Sequence, residues 1–188
     1  RISNYETGNN ENLKGWYTGQ GMTYFYTNDT QQYNKDFWPT VDQLRLPGVT
    51  TDGQTRKDNA TQSPYATSNT IDGVNGTSTM ILSPESLTAE GNKTGLSANK
   101  SWFVLGDAVV ALGSGINSEN NLDVETIIDN HRIEGDKALI AGGNNISLEN
   151  NKVVESSEKW FHLQGNTEGA DMGYVILNDD NVTLKKET

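Results

Sequence analysis

The sequence has no cysteine, only 4 prolines, and 14 Lys and Arg residues against 25 Asp and Glu. Without cysteine, a small disulfide-stapled secreted module is excluded, whereas a larger bacterial secreted enzyme is not. The formal net charge of −11 makes nucleic acid an unsuitable partner, because an acidic surface repels a phosphate backbone. No apolar run approaches the roughly 20 residues of a membrane span, and no signal peptide is visible, so no membrane partner is expected. Helical stripes longer than two turns, heptads and internal repeats are also missing. The chain opens on Arg1 in mid-pattern, which reads as a mature or cut fragment.

What is present is a chain of 188 residues, enough for one domain burying roughly 70% of its unfolded surface. Hydrophobic residues make up 33%, glycine numbers 19, and Asn, Thr and Ser abound. Such a mixture favours many short strands joined by polar turns. Residues 14–18 and 21–27 flank Gly19-Gln20 and predict a hairpin, with Met22, Tyr24 and Tyr26 on one face and Thr23, Phe25 and Thr27 on the other. Residues 37–49 hold two prolines and predict an ordered loop or irregular edge; residues 51–70 predict an exposed, turn-rich excursion. Further strands are predicted at 76–82, 101–105, 108–112, 122–128, 137–141, 145–149, 152–155, 159–164, 172–177 and 181–186. Gly106-Asp107 makes a tight hairpin turn between the third and second of these. Gly113-Ser114-Gly115 follows a strand with no helix after it, so it predicts a tight turn and not a phosphate loop. Pro84 offers a short helical start over 84–90. The expected fold is all-β: antiparallel sheets packed as a large β-sandwich.

Few residues announce chemistry. His131 and His162 lack partners at catalytic or metal-ligating spacing and read as a turn residue and a strand residue. No carboxylate pair of the glycosidase kind stands out, so a stand-alone glycosidase is disfavoured. Residues 117–125 could offer oxygens to calcium but lack a known loop spacing; a solvated turn is preferred and no cofactor is expected. Asn-x-Ser/Thr triplets at Asn28 and Asn75 follow from composition. The aromatic group Trp16, Tyr17, Tyr24, Tyr26, Phe37 and Trp38 reads either as sandwich core or as faces for stacking on sugar rings. Trp38, next to Pro39, is the more exposed of them on this reading.

Longer motifs carry a resemblance. The opening RISNYETGNNEN at 1–12 with Gly15-Trp16-Tyr17, then GMTY at 21–24, FWPTV at 37–41 and LPGVT at 46–50 resemble the central β-domain of polysaccharide lyase family eight. So do KSWF at 100–103, ALGSGI at 111–116, ETIIDN at 125–130, WFHL at 160–163 and DMGY at 171–174. Within a family of xanthan, hyaluronate and chondroitin lyases, KSWF, ALGSGI and the HLQGNT stretch at 162–167 lean toward the xanthan lyases. The resemblance implies a galactose-mutarotase-like β-supersandwich over 1–188, continuing past Thr188, and a catalytic α/α-toroid domain absent from this chain. It implies a secreted, extracellular enzyme that cleaves uronic-acid polysaccharide by β-elimination. There a Tyr, helped by His and Asn in the helical domain, removes the C5 proton once the adjacent carboxylate is neutralised. It also places Glu6 and Asn9 on the cleft side of the β-domain: Glu6 pairing with an Arg that orients the Tyr, Asn9 contacting sugar. Partners implied are an anionic polysaccharide and the toroid domain; the alternatives are the β-domain of a hyaluronate or chondroitin lyase, or a non-catalytic carbohydrate-binding or structural β-domain.

Overall fold

The structure is a computed structural model and describes residues 18–34, 36–56, 63 and 65–188. Glu6 and Asn9, and with them residues 14–17 of the strand expected at 14–18, lie outside the described residues. Among the described residues, twelve antiparallel strands and almost no helix account for the regular structure, as the short alternating segments predict. The chain divides into two compact units, one of residues up to Tyr24 with Thr40–Asn130, the other of Phe25–Pro39 with His131–Thr188.

The first unit centres on a four-stranded antiparallel meander of β2 (Ala66–Ile71), β3 (Asn75–Leu82), β4 (Leu96–Leu105) and β5 (Ala108–Ser118). β4 and β5 turn at Gly106-Asp107, where Gly106 sits at φ +62°, as the sequence predicts. Alternation then decides the faces. Leu82, Leu96 and Ala98 point to a buried side with Met80 and Val124 packed against them, while Asn99 and Leu105 point to solvent. A second pairing, β1 (Thr50–Thr51) with β6 (Glu125–Thr126), ties the 46–51 segment down: Gly48 N–H donates to Ile127 O at 2.7 Å and Ile127 N–H to Val49 O at 2.9 Å. Leu46 and Val49 are fully buried there.

The second unit holds the sheet β8 (Asn144–Ile146), β7 (Leu139–Ala141), β10 (Trp160–Leu163), β11 (Met172–Val175), in that spatial order. A ribbon of β9 (Val153–Ser156) with β12 (Val182–Lys185) accompanies it. Phe161 and Ala141 are cross-strand partners and both are buried.

Several expectations need correction. Residues 21–27 form no strand: Met22 N–H goes to Thr18 O, Thr23 N–H to Pro47 O and Phe25 N–H to the Tyr33 hydroxyl, so their backbone is satisfied by loops and not by a ladder. Thr18–Gln20 is a single 3₁₀ turn. The 51–70 excursion is buried at Thr51, Asp52 and Arg56, and residues 66–70, exposed as expected, form part of β2 and not turns. The helix expected over 84–90 is absent and the segment turns instead. Gly113-Ser114-Gly115 lies inside β5, where the register against β4 shifts between Ser97 and Asn99; Gly115 at φ +59° is the bulge residue and not a turn. The strand expected at 122–128 shrinks to Glu125–Thr126.

Candidate functional site

Three clusters of polar and aromatic side chains stand out. The first is in the second unit, on the loop 25–39. Tyr33 makes an edge contact with Tyr26 at 5.6 Å between centroids and another with Phe37 at 5.3 Å, and Phe37 meets Trp38 at 5.2 Å and 87°. Trp38 lies in the single helical turn α1 (Phe37–Thr40) and is half-buried, less open than the sequence suggests. Phe37 is core, which removes it from any sugar-stacking role, whereas Tyr26 is 81% exposed. Tyr24 is half-buried; Trp16 and Tyr17 lie outside the described residues.

The loop bearing these rings is held by a buried carboxylate. Asp29 Oδ2 accepts from Asn166 Nδ2 at 2.7 Å and meets Arg132 Nη2 at 3.4 Å, and its Oδ1 accepts the Gln31 N–H at 2.8 Å. Arg132 also donates from Nε to Gln31 O at 3.1 Å and pairs with Glu134 at 2.6 Å. Burial works against the Asp29 anion, yet its hydrogen bonds from Asn166 and Gln31 and the Arg132 charge together hold it below the usual carboxylate range.

The second cluster, in the first unit, pins the loops beside the meander. Lys100 on β4 is 5% exposed; its ammonium donates to Gly48 O and sits 5.4 Å from the Trp102 ring. Desolvation pushes its pKa down to about 8. Nearby, Arg56 pairs with Asp52 at 3.1 Å with both side chains buried, and Gln54 Nε2 bridges Asp52 Oδ2 and Thr94 O at 2.7 and 2.9 Å.

The third cluster contains His162, which does have a partner: its Nε2 lies 2.9 Å from Asp171 Oδ2, and Asp171 Oδ1 accepts the Gly165 N–H at 2.9 Å. The strand assignment of His162 holds. Its pairing is invisible in sequence because Gly165 folds the chain back; a Cβ there would come 2.4 Å from the Ala170 carbonyl carbon. His131 lies in a half-buried loop, matching its turn assignment in lacking regular structure. In 117–125 the side chains are spent on structure: Asn120 Nδ2 donates to Thr94 O at 2.8 Å and Glu125 pairs with Arg45 at 2.6 Å. Among the described residues no group of three or more His, Asp and Glu is arranged to hold a metal ion. Nor is any described helix long and apolar enough to cross a membrane.

Antiparallel sheets with aromatic and carboxylate side chains on their loops and faces define an all-β protein. Comparison with known proteins agrees and is more specific. The chain belongs to polysaccharide lyase family 8, whose super-sandwich domain matches residues 1–188. It is 40% identical over 192 residues to a xanthan lyase of Bacillus sp., covering 100% of this chain and 20% of that protein. Against the hyaluronate lyase HylB of Enterococcus faecalis it is 35% identical over 197 residues, covering 100% of this chain and 19% of that protein. Among solved structures, Paenibacillus xanthan lyase superposes with a TM-score of 0.81 at 39% identity over 93% of this chain and 17% of that one. Streptomyces coelicolor chondroitin AC lyase in complex with chondroitin sulphate gives 0.58 at 32% identity over 94% of this chain and 22% of that one. The chain therefore spans about a fifth of the length of these relatives.

Proposed function

We propose that this chain is the sheet-side wall of the cleft of a secreted polysaccharide lyase that cleaves uronic-acid polysaccharide, xanthan side chains above all, by β-elimination. The single observation that carries this reading is identity along the whole chain, 40% to a xanthan lyase, together with a TM-score of 0.81 to a xanthan lyase structure. The lower 0.58 to chondroitin AC lyase favours xanthan over a glycosaminoglycan. Elimination needs a base for the C5 proton and neutralisation of the neighbouring carboxylate, and on this reading an α/α-toroid domain supplies both. Glu6, acceptor-only and anionic, is the partner of an Arg fork that orients the catalytic Tyr, and Asn9 hydrogen-bonds sugar hydroxyls. Trp38 offers the exposed part of its ring for stacking on a sugar. A polymer too large to enter a cell requires an enzyme outside it, which is why secretion belongs to the proposal. No cofactor is invoked, since carboxylate neutralisation by side-chain donors suffices.

The test uses the ultraviolet absorbance of the unsaturated uronate. Incubated with side-chain-exposed xanthan or with hyaluronan, the chain by itself gives no product, whereas the full-length enzyme gives product from xanthan. Turnover by the chain alone overturns the division of labour. In the full-length enzyme Glu6→Ala lowers kcat more than it raises KM; an unchanged kcat removes Glu6 from the site.

A further inference from the structure

The HLQGNT stretch folds into a feature that the lyase reading does not use. On β10 the alternation sends Phe161 inward, 4% exposed, and sends Trp160 and His162 to the opposite face of the sheet. Trp160 is 44% exposed there. Its cross-strand partner is Val175, and that of His162 is Gly173, where a Cβ would meet no heavy atom within 4 Å. Among the described residues the face is thus open beside the indole. Gly143, on the turn between β7 and β8, lies on the other flank, its Cβ position 4.0 Å from Trp160 Cζ2. Beside this platform stands a fixed polar pair, His162 and Asp171, with side chains 38% and 51% exposed. Asp171 is held by the Gly165 N–H and the His162 ring, and these same bonds, the Gly165 one first, keep its carboxyl below the usual carboxylate range.

We propose that Trp160, His162 and Asp171 form a sugar-binding platform, separate from Glu6 and Asn9 in sequence, that takes an uncharged pyranose of the polysaccharide. Three observations converge on this ligand class. An exposed indole face accepts the C–H side of a pyranose ring. A carboxylate with both oxygens already oriented, paired with a histidine, accepts and donates to vicinal hydroxyls in a fixed geometry. The local charge selects against uronate: Asp171 is anionic, and the Glu158 carboxylate lies over Gly142, whose N–H donates to Trp160 O at 3.1 Å. An acidic sugar is repelled from such a surface and a neutral one is not. In function, the platform holds a neutral stretch of the polymer and raises its local concentration at a second site, as linked binding modules do. This rests on reading the protein as an enzyme of polysaccharides, and the experiment separates the two.

The full-length enzyme is titrated calorimetrically with a neutral gluco-oligosaccharide and with a glucuronate oligosaccharide, and product formation from polymeric xanthan is followed in parallel. Trp160→Ala is expected to weaken the neutral ligand roughly tenfold, the size of one good aromatic stacking contact. It is also expected to raise KM for the polymer while leaving kcat unchanged. Trp160→Phe, which keeps an aromatic face, recovers most of the affinity, and this separates stacking from a folding defect. Asp171→Asn weakens the neutral ligand and lessens the discrimination against glucuronate. Lyase activity with no heat from the neutral ligand, or with equal affinity in Trp160→Ala, overturns the platform and leaves the lyase reading standing. Trp160-dependent binding without any unsaturated product supports the platform and sinks the lyase reading.

Discussion

Lys100→Met tests the account of the loops around the meander. Lys100 is enclosed by Gly21, Gly48 and Trp102, with its ammonium on the Gly48 carbonyl, and its burial disfavours the charged form. Burial takes its pKa from 10.5 down to about 8. At about 1.4 kcal/mol per pH unit, holding the proton in the fold costs about 3 kcal/mol relative to the unfolded chain. The sign follows from proton counting. Below pH 8 both states carry the proton and the full cost is present. Between pH 8 and 10.5 the unfolded chain still holds a proton that the fold has released, so stability rises with pH. Methionine keeps the apolar stem and removes the charge, but leaves Gly48 O without its ammonium donor, a loss of about 1–3 kcal/mol that does not vary with pH. At neutral pH these effects oppose each other and the two proteins differ little. The difference appears on raising the pH: relative to Lys100→Met, the parent protein should gain about 2 kcal/mol by pH 9.5. Urea unfolding at pH 7, 8.5 and 9.5, extrapolated to water, measures it. Parallel pH profiles for the two proteins refute the reasoning, because they mean that Lys100 is hydrated in the fold.

Two further changes probe the same loops. Arg56→Met strips the buried Asp52 of its cation while Gln54 still reaches it, so a loss of about 3–5 kcal/mol is expected in thermal unfolding; a loss below about 1 kcal/mol shows the pair to be solvated. Gly48→Ala and Gly53→Ala form a matched pair, at φ +81° and +78°. The first puts a Cβ 2.5 Å from Thr23 Oγ1 and 2.8 Å from Gly21 O, the second meets nothing within 4 Å among the described residues. Gly53→Ala should cost about 1 kcal/mol of left-handed strain and Gly48→Ala distinctly more, and equal denaturation midpoints show that no close approach exists at Gly48.

The parts of the fold legible in sequence are those where one cause acts alone. The hairpin of β4 and β5 announces itself because two apolar alternations flank Gly106-Asp107, and local turn chemistry and side-chain period agree. Residues 21–27 have equal strand propensity, yet Thr23 donates to Pro47 O and Phe25 to the Tyr33 hydroxyl, partners 24 and 8 positions away that no local pattern encodes. Gly113-Ser114-Gly115 misleads for the opposite reason: glycine suits a turn and a bulge equally, and only the cross-strand register distinguishes them. Of the site, Trp38 was visible as an aromatic but its edge contact with Phe37 was not, and the His162–Asp171 pair depends on the fold-back at Gly165. Glu6 and Asn9 come from family resemblance and lie outside the described residues.

The first unit buries polar loop side chains as well as apolar strand side chains. Beside the apolar Leu82, Leu96 and Ala98, its buried positions include Thr50, Thr51, Asp52, Arg56, Ser86, Thr88, Thr94 and Lys100. Buried polar groups stabilise a fold only when bonded, and these are: the Thr94 carbonyl alone accepts from both Gln54 and Asn120, while its N–H reaches Ser86 O at 2.7 Å. A purely apolar core would stabilise the sheet and leave its loops free. A network of this kind fixes loops in one geometry at some expense in stability, as the depressed Lys100 pKa records. Loops fixed to a scaffold are what the proposed polysaccharide-binding wall requires, since side chains must meet a polymer in register without a large ordering cost. A chain with only 33% hydrophobic residues can therefore supply such a wall, and its most sensitive positions should be the polar ones that anchor loops.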